Sequence, residues 1–271
     1  MKIIDLTDYY TEYLANNGDL GTYEKSYPAL FNHYFKYWAD RIKPVAKISK
    51  AEISNRVKLI TDSLNYLELK FNMAGFDIAN LKIVLFVGVN KTNGHAFKDG
   101  DEYIVWLPIE TYFSRQLCDV FISHEIGHAL HYMSSEDFYF NDLSEKLTVS
   151  RQLVTEGLAT FLSMKILNIG EGEALWADYL SREDKERWLS QCLLERKTLN
   201  KFVLDNFNKN DSRIGLFYAN DPDNIYYFRA GYYVGLKLIE EVSAATKIGL
   251  SELLEMPRLT LDKLIFELLI N

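Results

Sequence analysis

The sequence predicts an α+β fold, mostly helical, with a small mixed sheet between an opening run of helices and a longer closing one. Three observations carry this. Apolar residues recur at helical spacing through most of the 271 residues. Two short segments between the helical runs are rich in β-branched residues and bounded by turn formers. The order helices, strands, helices lacks the strand-helix alternation of a doubly wound parallel sheet.

The first 75 or so residues read as helical. Phe31, Tyr34, Phe35 and Trp38 follow helical spacing, as do Ile53, Val57, Ile60, Leu64, Leu67 and Phe71. Pro44 separates these two helices and Gly75 ends the second. The period then changes. LKIVLFVGV, residues 81–89, reads as a strand, and NKTNGHAFKDGDE after it, with Asn93-Gly94 and Asp99-Gly100 turn signals, as a loop or a hairpin with an irregular middle. YIVWLPIE, residues 103–110, is a second strand, with Pro108 fitting an edge or a strand end. Helices are expected near residues 115–133, 148–168, 172–187, 188–208, 224–246 and 258–269. The chain thus divides into a helical region, 1–75; a small sheet with one long helix, 76–135; and a helical C-terminal part, 136–271.

Composition narrows the function. Hydrophobic residues at 48% and charged residues at 25% are those of an ordinary globular protein. The net charge of -8 argues against nucleic acid as the partner, because phosphate binding needs clustered Lys and Arg. Cys118 and Cys192 stand far apart in no CxxC arrangement, which excludes a disulfide scaffold and a cysteine metal site and leaves either one disulfide or, the favoured reading, two buried thiols in a reducing compartment. Acidic residues interrupt the N-terminal stretch where a signal peptide needs an apolar core, and no apolar run reaches the roughly 18 residues that span a bilayer. A cytoplasmic protein with no membrane partner is expected.

The chemistry is concentrated in FISHEIGHALH. His124-Glu125-Ile126-Gly127-His128 is an HExxH motif, and on a helix two His four residues apart project from one face about a turn apart. That suits two vertices around a tetrahedral Zn²⁺, one per chain. Glu125, offset round the helix, is free to act on water as a general base without competing as a ligand. Phe121, Ile122, Ile126 and Ala129 are apolar, as a buried active-site helix requires.

A catalytic zinc needs a third protein ligand and an open position. The metzincin pattern, with a His six residues after the second motif His, fails here because Ser134 occupies that place. His131 shares the helix face nearly another turn along and reads as a neighbour of the site. RQLVTEGLATFLS reads as a second amphipathic helix, and Glu156, 28 residues after His128, can return onto the first to complete a His, His, Glu set. Glu136, Asp137, Asp142 and Glu145 fall in the less rigid connecting loop, and a plain surface carboxylate is the alternative for Glu156.

HEIGH followed by TEGLATF resembles the gluzincin clan of zinc metallopeptidases. The similarity is closest to a family of predicted zinc-dependent proteases in which H-E-x-x-H, E-G-L-A and G-Y-x-x-G occur in this order; the last is Gly231-Tyr232-Tyr233-Val234-Gly235 here. The resemblance covers roughly residues 80–245. It implies a gluzincin-like fold, a peptide or protein substrate, and metal-dependent hydrolysis with His124, His128 and Glu156 holding zinc and Glu125 as base. It also implies Tyr232 as the oxyanion donor, with Arg229 contacting substrate; packing in an aromatic-rich helix is the other reading of both. An edge strand pairs with substrate in that clan, and Tyr103 to Leu107 stands in the corresponding place, or is an ordinary edge strand. His95 either borders the cleft or is a solvated loop residue. A zinc hydrolase of another amide or ester, or a non-catalytic binding or regulatory protein on the same scaffold, are the alternative functions. Oligomeric state is not legible.

Overall fold

The computed structural model describes residues 1–16 and 18–270. The chain forms two compact units, one ending at Ala129 and one from Leu130 onward, with the border inside a single helix.

The first unit contains, in order, β1 (Lys2–Asp5), α1 (Asp8–Ala15), α2 (Gly21–Ser26), α3 (Pro28–Tyr37), α4 (Lys50–Met73), β2 (Lys82–Phe86), β3 (His95–Asp99) and β4 (Glu102–Pro108). Among the described residues the strands form one sheet of order β1-β2-β4-β3. β1 pairs with β2 and β2 with β4 in parallel, and β3 pairs with β4 antiparallel, so the sheet is mixed, as expected. β2 and β4 are buried almost throughout, which is why both read as unbroken apolar runs rather than alternating ones.

Two sequence expectations change here and one open reading is decided. The start of the chain is a strand, not a helix; its side chains are mostly exposed and carry no periodic signal, and the pairing comes from β2, 80 residues away. The stretch after β2 takes the hairpin form: β3 and β4 turn at Gly100, whose φ of +63° lies in the left-handed region. Most consequentially, the strand holding Tyr103 and Leu107 is not an edge. β4 is hydrogen-bonded on one side to β2 and on the other to β3, so its backbone has no free side for an extended substrate.

Helices α3 and α4 follow the predicted faces. Pro28 opens α3, and Phe31 and Tyr34 lay their rings edge-on against Phe86, at 5.5 and 5.1 Å, with Tyr34 also 5.3 Å from Trp106. Ser49 and Glu52 form a capping box at the start of α4, whose buried stripe is Ile60, Leu64, Leu67 and Phe71; Ile53 and Val57 lie only half-buried. Gly75, with φ +87°, ends the helix as predicted. The helix expected over residues 115–133 is present but interrupted: α5 (Arg115–Leu117) leads into a turn of π-helix, Cys118–Ile122, and then α6 (Ser123–Ser134). Ser114 caps its start, and Asp119 is fastened by the Ser63 hydroxyl at 2.5 Å and by Arg115 at 2.7 and 2.8 Å.

The second unit is helical: α7 (Leu143–Lys146), α8 (Val149–Leu167), α9 (Glu171–Trp176), α10 (Arg182–Leu194), α11 (Arg196–Asn206), α12 (Ala230–Thr246), α13 (Leu250–Glu255) and α14 (Arg258–Ile270). α8 is buried at nearly every position, polar ones included. It packs on α12 with backbones in contact, since a Cβ on Gly157 would lie 2.9 Å from the Gly235 Cα. The expected helix over 172–187 breaks at Ala177, with φ +47°, and the one over 188–208 breaks at Glu195. The helix expected from 224 begins instead at Ala230, because Arg229 sits in the left-handed region at φ +58°. Cys118 and Cys192 are buried free thiols, and no helix among the described residues is long and apolar enough to cross a membrane.

Candidate metal centre

Apolar neighbours sink the HExxH segment into the fold. Ile122, Ile126 and Ala129 are fully buried, and between them His124, Glu125 and His128 are only 6%, 5% and 2% exposed. Buried polar groups of this density need partners or a ligand. The two imidazoles lie 4.7 Å apart at 85°, with Nε2 facing Nε2 at 3.1 Å. The edge of a tetrahedron with Zn–N bonds of 2.0–2.1 Å is about 3.3 Å, so this pair matches two vertices of such a site.

Glu156 on α8 is half-buried. One ring nitrogen each from His124 and His128 and one carboxylate oxygen of Glu156 all lie within 4.8 Å of one another. Two neutral imidazoles and a carboxylate are a donor set that zinc accepts, and they leave a fourth position open. His131 lies outside this group, its ring 4.4 Å from Phe138. The loop acids also lie outside it and are otherwise engaged. Asp142 caps α7 at the Glu145 amide, and Asp137 accepts from Ser135 and the Arg258 amide. Burial alone would raise the Glu145 carboxyl, yet the Asn141 amide and Arg258 hold it below the usual range.

Sequence reasoning missed one neighbour, Lys146, and left His95 open. Lys146, at the end of α7, is half-buried; burial drives its ammonium down to about 8, Arg151 pushes the same way, and the Glu156 carboxylate opposes both. His95 is not a solvated loop residue. It opens β3 at 6% exposure, tilted at 43° to Trp38 with ring centres 4.6 Å apart and stacked parallel to His33 at 5.7 Å, with its ring 6.2 Å from that of His128. Its neighbours in sequence are turn formers, and the aromatic rings that cover it come from α3 and its C-terminal cap some 60 residues earlier, so no local pattern announces its burial.

Arg229 and Tyr232 are brought together, though not on one helix face. Arg229 precedes α12, and its guanidinium lies 4.2 Å above the Tyr232 ring and 5.0 Å from that of Trp176. Tyr232 is half-buried against Phe217.

Comparison with curated proteins and with solved structures finds no match. A family model described as predicted Zn-dependent protease (DUF2268) matches residues 58–263, a span that holds His124, Glu125, His128 and Glu156, and the chain belongs to that family.

Proposed function

We propose that the chain is a zinc-dependent hydrolase that cleaves peptide bonds in the manner of gluzincins, with one Zn²⁺ held by His124, His128 and Glu156. The observation that carries the reading is the convergence of those three ligand atoms within 4.8 Å, with a buried Glu125 adjoining one of them in sequence. When bound, Zn²⁺ supplies Lewis-acid polarisation of a carbonyl and of a water. The Glu125 carboxylate takes a proton from the attacking water and returns it to the leaving amine, a role that a carboxylate fills without moving once its side chain is packed in place. The Tyr232 hydroxyl donates to the oxyanion that develops, and the Arg229 guanidinium, held between two aromatic rings, contacts the substrate. The two buried thiols fit a reducing cytoplasmic setting, and the substrate is a peptide or protein.

Metal analysis of the purified chain beside His128→Ala and Glu156→Ala, with hydrolysis of a panel of peptides, amides and esters, tests the reading. About one zinc per chain in the wild type, greatly reduced in both variants, together with peptide cleavage, is expected. Cleavage confined to non-peptide amides or esters would move the activity to that class. A zinc-loaded wild type that hydrolyses nothing on the panel would make the chain a binding protein, and undiminished zinc in Glu156→Ala would remove that residue from the site.

A further inference from the structure

The loop between β2 and β3 is pinned along its main chain by the first unit. Glu110, 8% exposed just beyond β4, accepts from the amides of Gly88 at 2.8 Å and Asn90 at 2.9 Å. Tyr34 on α3 accepts from the Val89 amide at 3.0 Å, the Gly88 carbonyl accepts from the Ala46 amide at 2.8 Å, and the Tyr112 hydroxyl donates to the Asn93 carbonyl. Arg56 on α4 secures the far side of this clamp by donating to the Glu110 carbonyl. Few loops carry so many partners; most leave their backbone to water.

What the loop delivers is Gly94. A Cβ at that position would lie 2.8 Å from the Glu125 Cγ, 3.1 Å from the Leu107 Cδ2 and 3.1 Å from the Trp106 carbonyl oxygen. The next residue, His95, meets His128. The loop therefore runs along the metal helix and abuts, in successive residues, the side chain of the base and the ring of a ligand.

We infer that residues 88–94 form a strap that positions Glu125. Gly94 is the contact that fixes the Glu125 side chain, and Glu110 is the residue that holds the strap in place through the Gly88 and Asn90 amides. The inference rests on the reading of Glu125 as base. The Glu125 side chain is 5% exposed and has a wall at its Cγ, so it loses rotamer freedom before substrate arrives. Any β-carbon at residue 94 forces either the strap or the carboxylate to move. Both Gly94 and Glu110 act through Glu125 and are positioning residues, not catalytic ones.

The test combines packing and kinetics on the full chain. In chelator, unfolding midpoints of wild type, Gly94→Ala, Glu125→Ala and the double variant form a cycle that reads the contact without metal or substrate. Gly94→Ala is expected to lower the midpoint in the wild-type background and to lower it less once Glu125→Ala has removed the Cγ, the remaining loss coming from the φ of +158° and the approaches to Leu107 and the Trp106 carbonyl. An equal loss in both backgrounds overturns the contact. With zinc bound, Gly94→Ala and Glu110→Gln are each expected to lower kcat by about ten- to a hundredfold, as a displacement of about 1 Å does, with KM and zinc stoichiometry held near wild type. A wild-type kcat in both, or losses confined to KM, overturns the positioning role; Glu110→Gln serves alone should Gly94→Ala not fold. A zinc-loaded wild type without hydrolysis refutes the proposed activity and leaves the cycle to decide the strap.

Discussion

Gly157 and Gly235 touch through their backbones: a Cβ on Gly235 would lie 2.5 Å from the Leu153 carbonyl oxygen, and one on Gly157 would lie 2.9 Å from the Gly235 Cα. Glu156 is the residue before this contact, so a backbone-to-backbone approach of α8 and α12 sits one position from the third member of the ligand group.

Alanine at residue 157 therefore sets two effects against each other. Helix propensity favours Ala over Gly by up to about 1 kcal/mol, while overpacking a core costs about 1–3 kcal/mol or more. The neighbour is main chain, which cannot swing aside, so overpacking wins. Gly157→Ala is expected to lose at least about 1 kcal/mol in denaturant titration and to weaken zinc binding; equal stability to wild type would mean the helices lie further apart.

Glu125→Gln removes the proposed base and keeps the shape of the side chain. Hydrolysis is expected to fall by about 10²–10⁴-fold with zinc content unchanged, measured by metal analysis and steady-state rates on one sample. Loss of zinc would show Glu125 to be a ligand. Tyr232→Phe is expected to cost about 10²–10³ in kcat, again without metal loss.

Burial raises the Glu110 carboxyl above its ordinary 4.5, although the Gly88 and Asn90 amides pull the other way. A carboxyl with a raised folded pKa binds more protons in the folded chain than in the unfolded one. Stability from this group thus falls as pH rises from about 4.5 through the folded value and is level beyond it. The difference in stability between wild type and Glu110→Gln, followed by urea midpoints from pH 4.5 to 7, should shift against the wild type as pH rises; a shift in its favour would reverse the assignment.

Arg151 is 2% exposed, and its guanidinium donates to the Phe138 carbonyl at 2.7 Å and the Tyr132 hydroxyl at 2.9 Å, tying the segment after α6 to α8. Charge-assisted bonds of this kind contribute about 1.5–3 kcal/mol each, and truncation leaves their partners buried. Arg151→Ala is expected to lose about 3 kcal/mol or more, and Arg151→Lys should not restore it because an ammonium lacks the planar fork.

An element is legible in the sequence where its signal is its own. α8, expected over 148–168 and found as Val149–Leu167, was legible because its apolar period is its own. The HExxH pair was legible for the same reason: four residues on a helix dictate a shared face. β1 was not, since nothing in KIID distinguishes it until β2 supplies a ladder. α12 was expected six residues early because Tyr226, Tyr227 and Phe228 continue the apolar period, while the left-handed backbone of Arg229 leaves no local trace. Asn93-Gly94 was read as a turn signal; besides its own φ of +158°, what crowds a side chain at Gly94 is Leu107, the Trp106 carbonyl and, closest, the Glu125 side chain 31 positions later, which spacing rules cannot see.

The widened turn at Cys118–Ile122 has a consequence for how the motif tolerates length changes. A π turn holds one residue more than an α turn, so the helix surface before it is out of phase with the surface after it by roughly 100°. Asp119, fastened to Ser63, sets the phase at the near end, and the imidazoles take theirs from the far end. Deleting one residue there would return the turn to α and leave His124 and His128 on their present heading, whereas a residue lost from a regular turn would rotate them by roughly 100°. The wide turn therefore gives this segment a place to lose a residue that the four-residue step between the histidines lacks.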